Sequence, residues 1–125
     1  MKVKALSGLE LEVMNIVWEI QACSVRDVLT QITKDKELAY TTIATILQRL
    51  HEKGLVTRNT KDFVVHYTPK ISKTRYSKTV VGSFFTNFFQ SFGDVAIASF
   101  AESVEELPQE KKKYFLKLLE KNREA

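Results

Sequence analysis

One cysteine, two histidines and four glycines are all that 125 residues contain of three types on which much protein chemistry depends. Cys23 alone permits neither an internal disulfide nor a multi-cysteine zinc site, which fits a reducing compartment and leaves the thiol a packing role. His51 and His66 are isolated and lack the surroundings of a metal site. No glycine-rich phosphate loop, nucleophile elbow or HExxH helix occurs, so catalytic residues, metal and cofactor are all expected to be none. Long apolar runs are missing as well. Lys2 and Lys4 are not followed by the hydrophobic stretch of a secretory leader, and a cytoplasmic location is expected. Residues 79–101 carry Asp94 as their one formal charge, yet Gly82, Asn87, Gln90 and Gly93 interrupt them, and stable membrane insertion is not expected.

What is present suits one core, or a small domain with an appendage. The apolar fraction of 44% and charged fraction of 27% are those of a soluble globular chain. Nineteen basic against fifteen acidic residues leave +4, which permits a polyanionic partner without demonstrating one. Ser7-Gly8-Leu9-Glu10 has the capping-box pattern, and Leu9, Val13, Ile16, Val17 and Ile20 repeat at helical intervals, predicting a first helix over 8–21. Ser24-Val25-Arg26-Asp27 opens a second, with Val25, Val28, Leu29 and Ile32 on its buried face and an end near Lys34. Only Ala22 and Cys23 lie between them, and a short polar connection over 35–39 follows.

Residues 40–56 read YTTIATILQRLHEKGLV and separate what packs from what is left free. Ile43, Ile46, Leu47 and Leu50 form one stripe, while Thr41, Thr42, Thr45, Gln48 and Glu52 point mostly elsewhere. Gly54 after His51 and Lys53 is a helix stop with cations near the negative end. A hairpin follows: Leu55 to Arg58, a polar Asn59-Thr60-Lys61-Asp62 tip, then Phe63 to Thr68, ended by Pro69. The tip has no glycine, so a longer or bulged turn is as compatible as a tight one. A Thr-lined helix running into a short basic hairpin is what a winged helix-turn-helix uses to enter a major groove and grip flanking phosphates.

From Ser72 the chain changes character. Lys73, Arg75 and Lys78 lead into Val80, Val81, Phe84, Phe85, Phe88, Phe89 and Phe92, whose spacing places five phenylalanines along one side of a helix. A short helix over 94–102 and a last one after Leu107-Pro108, striped by Tyr114, Phe115, Leu118 and Leu119, complete the reading. Six of the eight phenylalanines fall within 84–100. Leaving that stripe wet would forfeit on the order of 10 kcal/mol of burial, and an intertwined homodimer supplies the missing surface. The candidate dimerisation residues are Val81, Phe84, Phe85, Phe88, Phe89, Phe92, Phe100, Phe115, Leu118 and Leu119. The fold class expected is mainly α: a winged helix-turn-helix of three helices and a β-hairpin wing over 1–70, then a C-terminal helical dimerisation region over 71–125.

Several blocks together carry a resemblance. Leu9-Glu10-Leu11-Glu12-Val13-Met14 with Val17-Trp18-Glu19, Val25-Arg26-Asp27-Val28, Ala39-Tyr40-Thr41-Thr42-Ile43, Arg49-Leu50, Glu52-Lys53-Gly54-Leu55-Val56 and Tyr67-Thr68-Pro69 resemble the BlaI/MecI/CopY type of penicillinase repressors over almost the whole chain. The resemblance implies a dimeric repressor whose winged helix binds palindromic double-stranded DNA operators. It also maps Thr41, Thr42, Ala44 and Thr45 to positions approaching base edges, and Arg49, Lys53, Arg58 and Lys61 to phosphates, with Gln48 completing the DNA-binding set. No Arg or Lys stands at the base-facing positions, which shifts affinity to backbone contacts and to dimerisation.

Lactam-responsive relatives are inactivated by cutting between Asn and Phe in the C-terminal region. The matching place here is Ser99-Phe100, and Asn87-Phe88 lies about a dozen residues earlier in the Phe stripe, so derepression by proteolysis is in doubt. A membrane metallopeptidase sensor encoded beside this chain would revive it. Copper-sensing relatives carry paired cysteines near the C-terminus, whereas this chain ends in KKKYFLKLLEKNREA. The alternative function is a winged-helix module for protein contacts without specific DNA binding, from which a steep fall of duplex affinity with salt would discriminate.

Overall fold

The computed structural model describes residues 5–33 and 37–124; Met1 to Lys4, and the expected helix end at Lys34 with Asp35 and Lys36 of the connection, lie outside the described residues. The elements in order are α1 Gly8–Ile20, α2 Val25–Ile32, α3 Tyr40–Glu52, β1 Val56–Lys61, β2 Val64–Pro69, α4 Lys73–Phe92, α5 Asp94–Glu105 and α6 Gln109–Glu124. They divide into two compact units, Met1–Gly82 and Ser83–Ala125. None of the described helices is long and apolar enough to cross a membrane.

In the first unit both expected capping boxes are made. The Glu10 amide donates to Ser7 Oγ at 3.4 Å while the Ser7 amide donates to Glu10 Oε1 at 3.1 Å, and Asp27 and Ser24 do the same at 3.1 and 3.0 Å. α3 stops in a Schellman arrangement: Gly54 at φ 80° donates to the His51 carbonyl and Leu55 to the Leu50 carbonyl, both at 3.0 Å. The two orphan carbonyls are thereby satisfied, and Leu55 is delivered into the core beside Leu50. Val13, Met14 and Val17 of α1, Val28 of α2, and Ile43, Leu47 and Leu50 of α3 are fully buried in one cluster.

The wing differs from the hairpin read in the sequence. Asn59, Thr60 and Lys61 do not form a tip; they are ladder residues paired with His66, Val65 and Val64. The loop contracts to Asp62 and Phe63, with φ of 52° and 63°. Positive φ at both central residues is the type I′ solution, whose twist matches the flanking strands. Asp visits that region at small cost, but Phe does not. An isolated bridge adds to the hairpin: Cys23 exchanges backbone hydrogen bonds with Tyr67, at 3.0 and 2.8 Å, so the link between α1 and α2 pairs with β2.

Behind the wing, Trp18 Nε1 donates to the Ile71 carbonyl at 2.9 Å and its ring lies 5.4 Å from that of Tyr76. The Tyr76 hydroxyl accepts from the Leu6 amide at 3.0 Å. The first turns of α4 are thus packed with α1, and Val80 adds to the same core.

The second unit holds the end of α4 with α5 and α6. Gly93 at φ 58° separates α4 from α5. Helix α5 runs to Glu105, three residues past the expected Glu102, and α6 begins directly after Pro108. Phe85 meets Phe100 edge-on at 4.9 Å, Phe100 meets Phe115 at 5.8 Å, and Phe88 stacks on Phe84 at 5.5 Å. Buried residues are scarce, Ala96 being the one fully enclosed among those described. Phe84 and Phe92 keep 61% and 57% of their surface exposed, and Val95, Ile97, Leu116, Leu118 and Leu119 are likewise open.

Candidate nucleic-acid interface

Helix α3 buries Ile43, Ile46, Leu47 and Leu50, so Thr41, Thr45, Gln48 and Glu52 share the opposite side at spacings of three and four. Thr45 and Arg49 are exposed, while Thr42 and Ala44 flank this strip half-buried, Ala44 against the core. The helix N-cap is Ala39, without a side-chain hydrogen bond, so neither Thr41 nor Thr42 caps it. Thr45 Oγ1 donates to the Thr41 carbonyl at 2.8 Å, which directs its remaining acceptor capacity and its methyl outward.

The wing is tied to this strip by Arg58, whose Nη1 donates to Gln48 Oε1 at 2.9 Å, while Gln48 Nε2 donates to Glu52 at 3.3 Å. One end of the wing therefore lies alongside α3, and Arg58 is positioned by the helix. Lys61 is exposed at the far end of β1. Arg49 has no ion pair among the described residues. Thr41, Thr42, Thr45, Gln48, Arg49, Arg58 and Lys61 are therefore gathered on α3 and the adjoining strand.

Lys53 is differently placed. Its ammonium reaches both oxygens of Glu10, at 2.9 and 2.8 Å, and braces the end of α3 to the start of α1. The Lys53 contact, helped by the Ser7 amide, holds the nearly buried Glu10 carboxyl down to about 2. A depressed carboxyl stabilises the fold above its unfolded value of 4.5, and that contribution is lost as pH falls from there toward 2. Thermal melts between pH 6 and pH 2 should show a decline below about 4.5 that is smaller in Glu10→Gln; identical acid limbs would remove the ion pair as its cause.

Two features have no signature in the local sequence pattern. Arg26 of α2 lies over the Tyr40 ring, 5.5 Å from its centroid, at the N-terminal end of α3. These two side chains, with Ser24 and Val25, face Phe63, Val64, Val65 and Tyr67 across a cleft of about 450 Å³. No periodicity could place α2 and the wing tip on one cleft, since their proximity is set by the Cys23–Tyr67 pairing. Cys23 is fully buried, and desolvation pushes its thiol up to about 11, so it is not a nucleophile at neutral pH. Among the described residues no group of three or more His, Cys, Asp or Glu could hold a metal ion.

The arrangement of three helices and a hairpin is shared with known proteins. Residues 6–121 match the penicillinase repressor family. The chain belongs to that family. It is a family of transcriptional repressors rather than enzymes. The penicillinase repressor of Bacillus licheniformis is 28% identical over 102 residues, covering 82% of this chain and 80% of that one. The solution structure of the DNA-binding domain of the repressor BlaI is similar with a TM-score of 0.53 and 32% identity, over 60% of this chain and 92% of that one. The Bacillus licheniformis BlaI monomeric form in complex with the blaP half-operator gives a TM-score of 0.51 with the same identity and coverage. Among penicillinase repressors, then, the winged helix is the part this chain shares with structures of a DNA-binding domain.

Proposed function

We propose that the chain is a homodimeric transcriptional repressor, acting in the cytoplasm, in which each copy sets α3 into the major groove of one half of a palindromic operator. The observation that carries this reading is the outward strip of α3 with the wing's Arg58 anchored beside it through Gln48. Thr41, Thr42 and Thr45 approach base edges, with Ala44, packed against the core, at the margin of the strip: a hydroxyl serves either kind of edge, and methyls suit thymine. Arg49, Arg58 and Lys61 take phosphates, with Gln48 orienting Arg58. Lys53 contributes mainly through Glu10, keeping the helix end in place. Residues 1–70, braced by Ile71 and by Tyr76 and Val80 at the start of α4, supply the reading head, and the Phe-rich faces of the second unit bring two copies together.

Repression follows from occupancy of a promoter in competition with RNA polymerase. Ser99-Phe100 lies inside α5, with the Phe100 ring against Phe85 and Phe115, so the bond at the family's cleavage place is not extended chain. Asn87-Phe88 likewise lies inside α4. Derepression by a cut would require local opening of α5 or α4 and a membrane metallopeptidase encoded next to the gene.

Footprinting on the chain's own upstream region, followed by titrations at several salt concentrations, tests the reading. Thr42→Ala and Thr45→Ala should relax sequence choice, by about 1 kcal/mol of discrimination per lost hydroxyl contact. Arg49→Ala should weaken all duplexes alike and flatten the salt slope by about one unit. Equal effects of all three on every sequence would refute this division of labour.

A further inference from the structure

The wing ends on a residue that the fold itself does not favour. Phe63 has φ 63° and is fully exposed at 103% of its reference surface. Glycine or asparagine would take that turn position without strain, and an exposed phenyl ring adds nothing to the core. Val64 beside it is also exposed. A single exposed ring is ordinary on a protein surface, but one held at positive φ, where the turn favours glycine, points to a role outside the chain's own fold.

The geometry limits what that partner is. Arg58 stands level with Gln48 on α3. The strand from Arg58 to Phe63 spans roughly 16 Å, and the helix from Gln48 back to Tyr40 about 12 Å. The tip thus reaches the N-terminal end of α3 and a few ångströms past it, which agrees with Tyr40, Arg26, Phe63 and Val64 lining one cleft. With α3 in a major groove, a sugar–phosphate strand bounding that groove would fit the cleft between Arg26 and Tyr40 on one side and Phe63 and Val64 on the other. In that placement Phe63 would stand on the minor-groove side of the strand. Asp62 next to it offers no attraction to phosphate, so the contact at the tip is apolar.

We propose that Phe63 enters the minor groove flanking each half-site and acts as a wedge that partly unstacks one base step. This rests on the DNA-binding reading above and adds a specificity determinant to it. Apolar wedges of this kind open flexible pyrimidine–purine steps at least cost, so the chain prefers TA or CA/TG at a position whose base edges it never touches.

The test uses the full-length chain and short duplexes that it enriches from a random pool, with 2-aminopurine replacing adenine at successive steps outside the half-site. Wild type should raise the fluorescence of one flanking step, and Phe63→Ala should abolish that signal and weaken binding about tenfold. Phe63→Gly should do the same while raising Tm, because strain at the turn is relieved. Neither variant should alter the salt slope, since a phenyl ring releases no counterions. Wild-type affinity in Phe63→Gly, or no unstacked step at any position, would overturn the wedge while leaving DNA binding intact. Failure of wild type to enrich any duplex would bring down the DNA-binding reading and the wedge with it.

Discussion

Phe84→Glu combined with Phe92→Glu should convert the chain from a dimer to a monomer at micromolar concentration and lower operator affinity by about 10²- to 10⁴-fold. Both rings are more than half exposed within their own unit, so charges there cost little in the isolated fold. Phe85, Phe100 and Phe115 carry the ring contacts that join α4, α5 and α6 and are left untouched, whereas Phe84 and Phe92 meet Phe85 and Phe88 of their own helix. In a dimer the two glutamates would be desolvated against the partner's apolar face without a counter-charge, which is among the largest penalties a substitution can impose. On the proposed reading each half-site then has to be bound singly, through Thr contacts without a basic base-reading side chain, and affinity should fall accordingly. Mass in solution and operator titration read the two effects separately. A variant that stays dimeric would place the interface away from the phenylalanine stripe; a monomer that binds as tightly as wild type would remove dimerisation from the mechanism.

The parts of this arrangement that were legible in the sequence are those fixed by local spacing. Ile43, Ile46, Leu47 and Leu50 could belong to nothing but an amphipathic helix, and Gly54 stops that helix as its position foretells. The capping boxes at Ser7 and Ser24 are local in the same sense. What escaped depends on partners far along the chain. Lys53 and Glu10 are 43 positions apart and Cys23 and Tyr67 are 44, and no periodicity connects them. Lys53 therefore looked like a free cation, and Ala22-Cys23 a mere link. The wing tip escaped for another reason. Its turn chemistry is atypical: Phe63 occupies a position where glycine is the usual signal, so Asn59 to Lys61 read as loop although they pair with β2. A local rule broken at an exposed position is also where function is to be sought.

Trp18→Ala should cost about 3–5 kcal/mol, because a large ring is removed from a packed site that cannot close over the gap. A unit of this size has on the order of 4–12 kcal/mol in total, so the loss is a large share of it. The ring is also the point at which the start of α4 is fastened: its Nε1 holds the Ile71 carbonyl and its face meets Tyr76, whose hydroxyl accepts from Leu6. Trp18→Phe separates the two contributions. It keeps most of the packing but leaves the Ile71 carbonyl unpaired, for about 1–3 kcal/mol. Circular-dichroism melts should therefore rank wild type, Phe and Ala in descending order, with operator binding lost in the Ala variant at temperatures where wild type is folded. The dimer should outlast that loss, because the phenylalanine faces of the second unit do not include Trp18 or its partners. Trp18→Ala is thus the reverse of the Phe84 and Phe92 change: one removes reading and spares pairing, the other removes pairing and spares the fold of the reader. If Trp18→Ala instead dissociated the dimer, the first turns of α4 would belong to the pairing surface as much as to the head, and Val81 would be the place where the two roles meet.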